Sequence, residues 1–308
     1  MYDLIGDIHG HADELVQLLT KLGYTRRSGV FQHPTRQPIF LGDFIDRGAQ
    51  IRETLEIVRP MVEGGHALAV MGNHELNALA FHTRNPHPPA NHLRPHNEKN
   101  SGQHAETVRQ LSEGDLASHL GWFRTLPLWL DLEGLRVVHA CWDENAREQV
   151  AHARPPVLSD DFLHAACTKN QHLYDPVEIL LKGKEILLPD GLSFCDKEGH
   201  QRHNTRVRWY VSPENQTYRT YAMATEPIPC DLPLEREIVQ AAAPYPAAAK
   251  PVFTGHYWLT GDRPELLAKN VACVDWSVAK GGVLCAYRWS GERELHEKNF
   301  VCVPALSS

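Results

Sequence analysis

The sequence Tyr2-Asp-Leu-Ile-Gly-Asp-Ile-His-Gly10 joins a short apolar run to a polar cluster flanked by two glycines. The same arrangement recurs twice: residues 38–41 lead into Gly42-Asp-Phe-Ile-Asp-Arg-Gly48, and residues 67–71 lead into Gly72-Asn-His-Glu75. Short continuous apolar runs are typical of strands buried on both faces of a sheet. The three runs therefore predict three buried strands, each followed by a polar cluster.

Helical periodicity lies between these strands. Residues 12–22 place apolar side chains three or four positions apart, and Asp13 and Glu14 supply an acidic first turn. Residues 51–62 show the same spacing. Strand, cluster and helix in alternation predict an α/β layered fold. In such sheets ligands bind at the carboxyl ends of the strands, where all three clusters lie.

The remaining patterns predict further helices and strands. In chain order we expect a helix over 74–81, one helical stretch over 105–124, a hairpin of 128–132 and 135–140, helices over 159–167 and 172–181, and strands over 252–254, 271–274, 283–288 and 300–303.

Length and composition indicate a globular chain with a sizeable core. The 308 residues are 42% hydrophobic and 22% charged, with a net charge of −7. This charge does not favour duplex nucleic acid or an anionic membrane as a partner. No apolar run approaches the roughly 20 residues that span a bilayer. No signal peptide is recognised after Met1.

The cysteines and histidines carry different information. The seven cysteines are widely spaced and never form a C-x-x-C pair, which indicates free thiols and a cytoplasmic, reducing compartment. Many of the 19 histidines lie between Phe81 and His104, and residues 85–100 within this segment contain four prolines. Those residues predict a long loop. Most of these histidines could be solvated polar side chains.

Side chains typical of metal ligands follow the apolar runs. Asp7 and His9, at i and i+2 beyond a strand, point the same way and can reach one ion. The full set has two aspartates, one asparagine and three histidines: Asp7, His9, Asp43, Asn73, His139 and His256. Mixed nitrogen and oxygen ligands without cysteine suit Mn, Fe or Zn better than Ca or Mg. Six ligands suit two metals that share a carboxylate.

Each of these features has a simpler interpretation when taken alone. A single Gly-Asp pair at a strand end is ordinarily a turn or a helix cap. His139 alone would fit a hydrogen-bonded core histidine, and Asn73 alone a helix cap. Three clusters at successive strand ends, with these residue types, favour a metal site over coincidence.

The three clusters resemble the signature blocks of the calcineurin-like metallophosphoesterases. The similarity is to the branch that holds the phosphoprotein phosphatases and the bacterial diadenosine tetraphosphate hydrolases. It continues in Val137–Ala140, in Thr254–His256 and in Val274-Asp275. The resemblance implies an α/β fold, a four-layer sandwich of two mixed β-sheets flanked by helices. It also implies a single catalytic domain over residues 1–308.

The resemblance is weak over about residues 146–250, which form a less recognisable insertion. Within it, Asn204–Arg208 is similar to a Thr-Arg-x-Arg stretch of the tetraphosphate hydrolases.

The family pattern implies two metal ions. The first would be held by Asp7, His9 and Asp43; the second by Asp43 as the bridge, Asn73, His139 and His256.

The resemblance also implies groups for phosphate binding and proton transfer. Arg47 and one of Arg206 or Arg208, with Arg206 preferred, would bind the phosphate oxygens, because a guanidinium matches phosphate geometry and keeps its charge. His74, oriented by Asp46, would be the general acid, since a carboxylate partner raises the pKa of an imidazole. The alternative for Asp46 and Arg47 is a surface ion pair at a helix start.

The sequence thus predicts a phosphoesterase with two divalent metal ions, Mn first and Fe or Zn as alternatives. Its expected substrates are phosphomonoesters, including phosphoserine and phosphothreonine proteins, because Asp46 is shared with the protein phosphatases and typically absent from the tetraphosphate hydrolases. One alternative is a dinucleoside polyphosphate hydrolase. The bases of such a substrate could stack on aromatic residues that would otherwise belong to the core, namely Trp142, Trp209, Tyr210 and Tyr257. A second alternative, an inactive scaffold that binds phosphorylated partners, would ordinarily lack ligands, and none is missing here.

Overall fold

The computed structural model describes residues 1–87, 91–195, 199, 201–223, 228 and 230–306. The strands are β1 (Tyr2–Ile5), β2 (Thr25–Arg27), β3 (Val30–Gln32), β4 (Gln37–Phe40), β5 (Leu68–Ala69), β6 (Trp129–Asp131), β7 (Arg136–Val138), β8 (Glu185–Leu187), β9 (Phe194–Cys195), β10 (Gln201–Arg202), β11 (Asn204–Arg206), β12 (Val252–Thr254), β13 (Val271–Cys273), β14 (Asp275–Trp276), β15 (Val283–Trp289) and β16 (Phe300–Pro304).

The helices are α1 (Ala12–Lys21), α2 (Ile51–Glu63), α3 (Asn73–His82), α4 (Glu98–Gln110), α5 (Glu113–Phe123), α6 (Glu144–Ala153), α7 (Asp160–Cys167), α8 (Tyr174–Lys182), α9 (Tyr218–Tyr221) and α10 (Arg236–Ala241). Two short 3-10 helices cover Val278–Lys280 and Glu297–Asn299. Among the residues described, no helix combines the length and the apolar character needed to cross a bilayer.

Two mixed sheets form the centre of the fold. The larger sheet has the order β14-β15-β1-β4-β5, with β16 also paired to β15. In it β1, β4 and β5 run parallel, and β15 lies antiparallel to β1. The smaller sheet has the order β13-β12-β7-β6, and only β6 in it is antiparallel to its neighbour. Parallel neighbours bring strand ends, and the clusters that follow them, to one edge.

Alternate residues of each strand enter different layers of the core. Leu4, Ile39, Val137 and Phe253, from both sheets, pack in one buried cluster. Ile5 and Phe40, the next residues on β1 and β4, pack instead with the apolar faces of α1 and α2. This alternation follows from the two-residue period of a strand. Two mixed sheets that pack together and are flanked by helices confirm the α/β sandwich predicted from the sequence.

The predicted single helical stretch over 105–124 is wrong. The chain forms α4 and α5 instead, because the Ser112 side chain accepts a hydrogen bond from the Asp115 amide and starts a new helix. The predicted long loop over 85–100 ends early, since α4 begins at Glu98 under an Asn97 cap. Residues 88–90 of that loop lie outside the described residues.

Candidate metal centre

The six predicted ligands come together where the strands of both sheets end. Asp7 and His9 follow β1, Asp43 follows β4, and Asn73 begins α3. From the smaller sheet, His139 follows β7 and His256 follows β12. All six side chains are buried. The ligand set predicted from residue types is therefore a single spatial cluster.

Asp43 lies at the middle of this cluster. Its Oδ2 atom is 3.5 Å from Nε2 of His9 and 3.4 Å from Nε2 of His139. Oδ1 of Asn73 lies 3.1 Å from Nε2 of His139 and 2.7 Å from Nδ1 of His256. Asp43 thus belongs to two groups of potential ligand atoms, one with His9 and one with His139 and His256, as a carboxylate shared by two ions would.

The direction of the histidine lone pairs tests whether these residues fit a metal. Nδ1 of His9 donates to the Ile45 carbonyl at 2.9 Å, and Nδ1 of His139 donates to the Leu41 carbonyl at 2.6 Å. In the neutral rings, both Nε2 lone pairs then point at the Asp43 carboxylate, which is also an acceptor. Lone pairs and a carboxylate that converge in this way need a cation between them.

Buried atoms without hydrogen bonds support the same conclusion. Throughout the described ranges, few buried side-chain atoms lack a partner, and Asp7 Oδ1, His9 Nε2 and His256 Nε2 are among them. A Cβ atom at Gly255 would lie 2.1 Å from Asp7 Oδ1, so only glycine lets this carboxylate stay in place. Nitrogen and oxygen donors in this arrangement fit divalent metal ions.

Burial and neighbouring charges set the protonation of the cluster. Burial, reinforced by His74, lowers the pKa of His9 to about 3, so His9 is neutral and can offer its lone pair. Burial opposes charge on His139 as well, but Asp43 and Asp7 outweigh it and raise the pKa of His139 to about 10. Without a metal, a proton on His139 takes the place of the cation, and metal binding would release it.

The loops that carry the ligands have unusual backbone conformations. Positive φ angles occur at His9 (47°), Asp43 (53°), Asp46 (66°), Arg47 (69°) and His256 (72°). Such angles are uncommon outside glycine, cost about 1–3 kcal/mol each, and cluster at functional sites. The surrounding structure must therefore hold these residues in place.

Glu75 supplies part of that support. Its buried carboxylate accepts hydrogen bonds from the backbone amides of Gly72, Asp43 and Phe44 at 2.8–3.0 Å. One side chain thereby fixes the loops after β4 and β5 against each other. Glu75 belongs to the third cluster, but the sequence pattern did not predict a role for it. An acidic residue three positions after a helix-capping glycine was the available signal.

His74 and Asp46 form a buried pair beside the ligand cluster. Nδ1 of His74 donates to Asp46 Oδ2 at 2.6 Å, so its Nε2 faces the cluster, 4.0 Å from Asp43 Oδ2. Burial lowers the pKa of His74, but Asp43 and Asp46 outweigh this effect and raise it above its ordinary value. A protonated ring has no lone pair to offer a metal, although His74 is close enough to group with His9 and Asp43. Its geometry fits a proton donor.

The three predicted arginines do not share one environment. The Arg47 guanidinium stacks on Trp258, 4.2 Å from the ring centroid, and Trp258 in turn lies against His9. Nε of Arg206 donates to the Lys182 carbonyl at 2.6 Å. After burial, the charge of Arg206 is the largest cause of the lowered pKa of His256. Arg47 is thus joined to the cluster through Trp258, whereas Arg206 is near enough to His256 for its charge to act on that ring.

Arg208 lies elsewhere. It contacts the Tyr210 hydroxyl at 3.3 Å and the Thr220 carbonyl, and its guanidinium stacks on the Tyr210 ring. Strand β11 ends at Arg206, so Arg208 lies beyond it.

The four aromatic residues considered for base stacking belong to the core. Trp142, Trp209, Tyr210 and Tyr257 are all less than a tenth exposed. Nε1 of Trp209 donates to the Tyr257 hydroxyl, which in turn donates to the Ala140 carbonyl. Trp258, which contacts His9 and Arg47, is an aromatic residue at the site that was not predicted from the sequence, although it stands two positions after His256.

Comparisons with known proteins agree with this geometry. The model of the family "Calcineurin-like phosphoesterase" matches residues 2–180. A bis(5'-nucleosyl)-tetraphosphatase of Halalkalibacterium halodurans is 45% identical over 74 residues, 24% of this chain and 30% of the relative. The corresponding protein of Oceanobacillus iheyensis is 30% identical over 139 residues, 45% of this chain and 54% of the relative. The chain thus spans between about a third and about half of the length of these curated relatives.

Among solved structures, a serine/threonine phosphatase of Saccharomyces cerevisiae matches with a TM-score of 0.49 and 12% identity. The match covers 100% of this chain and 80% of that protein.

Proposed function

Because the chain belongs to the calcineurin-like phosphoesterase family, we propose that it is a metal-dependent phosphoesterase that hydrolyses phosphomonoesters, including phosphoserine and phosphothreonine proteins. The observation that carries this proposal is the convergence of unpartnered, buried ligand atoms around Asp43, next to the His74–Asp46 pair. Ligands from both ends of the chain, such as Asp7 and His256, support a single catalytic domain. Seven free cysteines favour a reducing compartment, the cytoplasm.

Two sets of side chains would hold the metals. The proposed ligands of the first ion are Asp7, His9 and Asp43; those of the second are Asp43, Asn73, His139 and His256. Divalent ions, with manganese as our first choice, would activate water and neutralise phosphate oxygens. Arg47 and Arg206, at the edge of the cluster, would bind and orient the phosphate through their fixed fork of donors.

The His74–Asp46 pair favours an ester of an alcohol as the substrate. When such an ester is cleaved, an alkoxide leaves, and it needs a proton in the transition state. His74 can supply this proton, because its Nε2 faces the cluster while Asp46 holds Nδ1. A nucleotide that leaves from a polyphosphate is a weaker base and needs this help much less.

A dinucleoside polyphosphate hydrolase is the second candidate. The relatives that match part of this chain favour it, because they are named bis(5'-nucleosyl)-tetraphosphatases. Trp258, beside Arg47 and only partly buried, is an aromatic surface at the site that a base could contact.

A substrate panel tests the proposal. The manganese-loaded protein is assayed with 4-nitrophenyl phosphate, a phosphoserine peptide, mononucleotides and diadenosine tetraphosphate. We expect the highest kcat/KM among the phosphomonoesters, since kcat/KM measures discrimination between substrates. A higher kcat/KM for diadenosine tetraphosphate would replace the first function by the second.

The two arginines of residues 206–208 give a matched pair of variants. We expect Arg206→Ala to lower kcat/KM by about a hundredfold, because loss of one donor to the charge that develops on the transferred phosphoryl group typically costs about that much. Arg208→Ala should change kcat/KM by less than about threefold, since its contacts lie with Tyr210 and Thr220. Metal content by elemental analysis should stay the same in both. Two small and equal effects would exclude Arg206 as a phosphate ligand.

A further inference from the structure

Asp46 accepts more hydrogen bonds than it needs to orient His74. His74 donates to its Oδ2 atom at 2.6 Å. Its Oδ1 atom accepts from Nδ1 of His104 at 2.9 Å and from the Thr107 hydroxyl at 2.5 Å. The hydroxyl of Thr107 also accepts from the backbone amide of Asp46 at 3.0 Å. Two residues from a distant helix thus bind the residue that orients the general acid.

His104 and Thr107 reach Asp46 from one face of α4. Residues at i and i+3 of a helix project from the same face. Both side chains are buried, although α4 as a whole is strongly polar. Their contact covers a backbone position with a φ of 66°, a conformation that needs external support in a residue other than glycine.

A second histidine supports His104 from the opposite side. Nε2 of His82, at the end of α3, lies 3.1 Å from Nε2 of His104. Since Nδ1 of His104 is committed to Asp46, its Nε2 can only share one proton with His82. His82, His104, Asp46 and His74 therefore form a continuous hydrogen-bonded chain. His82 and His104, two histidines of the segment 81–104, thus make specific hydrogen bonds.

The donors on Oδ1 also fix the charge of Asp46. Burial alone would raise the pKa of Asp46, but the hydrogen bonds from His104 and His74 outweigh it and hold that pKa below its ordinary value. The carboxylate stays ionised, and two donors on Oδ1 prevent it from turning away from His74.

We propose that His104 and Thr107 are positioning residues, which hold the Asp46 carboxylate so that His74 presents its proton to the leaving oxygen. This inference rests on the proposed function for its consequence in catalysis. A misplacement of about 1 Å can cost about a hundredfold in rate. The effect should fall on substrates whose leaving group needs a proton, and much less on others.

A pair of variants at one position tests this role. Asn places its amide nitrogen near the position of Nδ1 of histidine, whereas Gln places its amide nitrogen near that of Nε2. His104→Gln therefore keeps a polar side chain but loses the donor to Asp46, and His104→Asn keeps that donor. Thr107→Val and Thr107→Ser form a second pair with the same logic. His152→Gln, on the exposed side of α6, is the control for replacing a histidine.

For His104→Gln we expect kcat for a phosphoserine peptide to fall on the order of tenfold or more, and kcat for 4-nitrophenyl phosphate to fall much less. His104→Asn should stay within about threefold of the wild type on both substrates. Equal rates for the Gln and Asn variants, or equal losses on both substrates, would overturn the inference. If the Gln variant does not fold, Thr107→Val against Thr107→Ser gives the same decision.

A measurement without turnover separates this inference from the proposed function. In the metal-free protein, the proton on Nδ1 of His74 should give a downfield NMR resonance that persists in His104→Asn and moves upfield in His104→Gln. An unchanged resonance in His104→Gln would contradict the positioning role even if the enzyme is active. A wild-type protein inactive on all phosphomonoesters, with the resonance shift present, would contradict the proposed function alone.

Discussion

Asp43→Asn is expected to abolish phosphoesterase activity and to leave fewer than two metal ions per chain. Among the described residues, Asp43 belongs to both groups of candidate ligands, and its carboxylate lies 3.5 Å from His9 and 3.4 Å from His139. An amide is neutral and can offer a metal only one oxygen, so it cannot replace a bridging carboxylate. Since metals contribute several kcal/mol to such reactions, turnover should fall by at least about a hundredfold.

The fold should survive this change. Oδ1 of Asp43 accepts a hydrogen bond from the His74 amide at 3.0 Å, and the oxygen of asparagine can accept the same bond. Thermal unfolding of the metal-free proteins and elemental analysis of the loaded proteins test both statements. Asp161→Asn, an exposed change in α7, is the matched control. Two ions per chain together with surviving turnover in Asp43→Asn would contradict the dinuclear assignment.

The positions of the candidate ligands could be predicted because each is tied to a strand. A strand leaves a simple apolar signal, and the side chains just beyond its carboxyl end must lie at one edge of the sheet. Asp7, Asp43 and Asn73 follow this rule in the larger sheet, and His139 and His256 follow it in the smaller one. The family resemblance added the expected distribution of these ligands between two ions.

The support around the ligands could not be predicted in the same way. Asp46 and Thr107 are 61 positions apart, and their contact depends on where α4 packs, which no local pattern reveals. The positive φ angles of His9, Asp43 and His256 could not be predicted either, because aspartate and histidine adopt such angles more often than most residues but still uncommonly. Only the neighbouring glycines indicate that the chain turns sharply there.

Some helix boundaries were not predicted even though the sequence contains the capping residues that mark them. Ser112 and Asp143 are good N-caps, and their side chains accept the hydrogen bonds that begin α5 and α6. Periodicity alone continues through Ser112, so it predicted one helix where capping produces two.

Substitution of the proposed general acid should separate substrates by their leaving groups. We expect His74→Asn to lower kcat for an alkyl phosphate, such as a phosphoserine peptide, by about 10²–10⁴-fold, the range for loss of general acid catalysis. An aryl phosphate with a good leaving group needs no proton in the transition state, so its kcat should fall by less than about tenfold. Metal content should not change, since Nδ1 of His74 donates to Asp46 and His74 is not among the proposed metal ligands.

Asp46→Asn distinguishes a general acid from a side chain that only orients the substrate. Asparagine can still hold Nδ1 of His74 through its oxygen, but it removes the negative charge that helps to raise the pKa of His74. If His74 acts as the acid, this variant should show the same split between alkyl and aryl phosphates, with a smaller loss on the alkyl substrate than in His74→Asn. If both variants instead lower the two rates by equal factors, the pair positions the phosphate, and the leaving oxygen must take its proton from another donor.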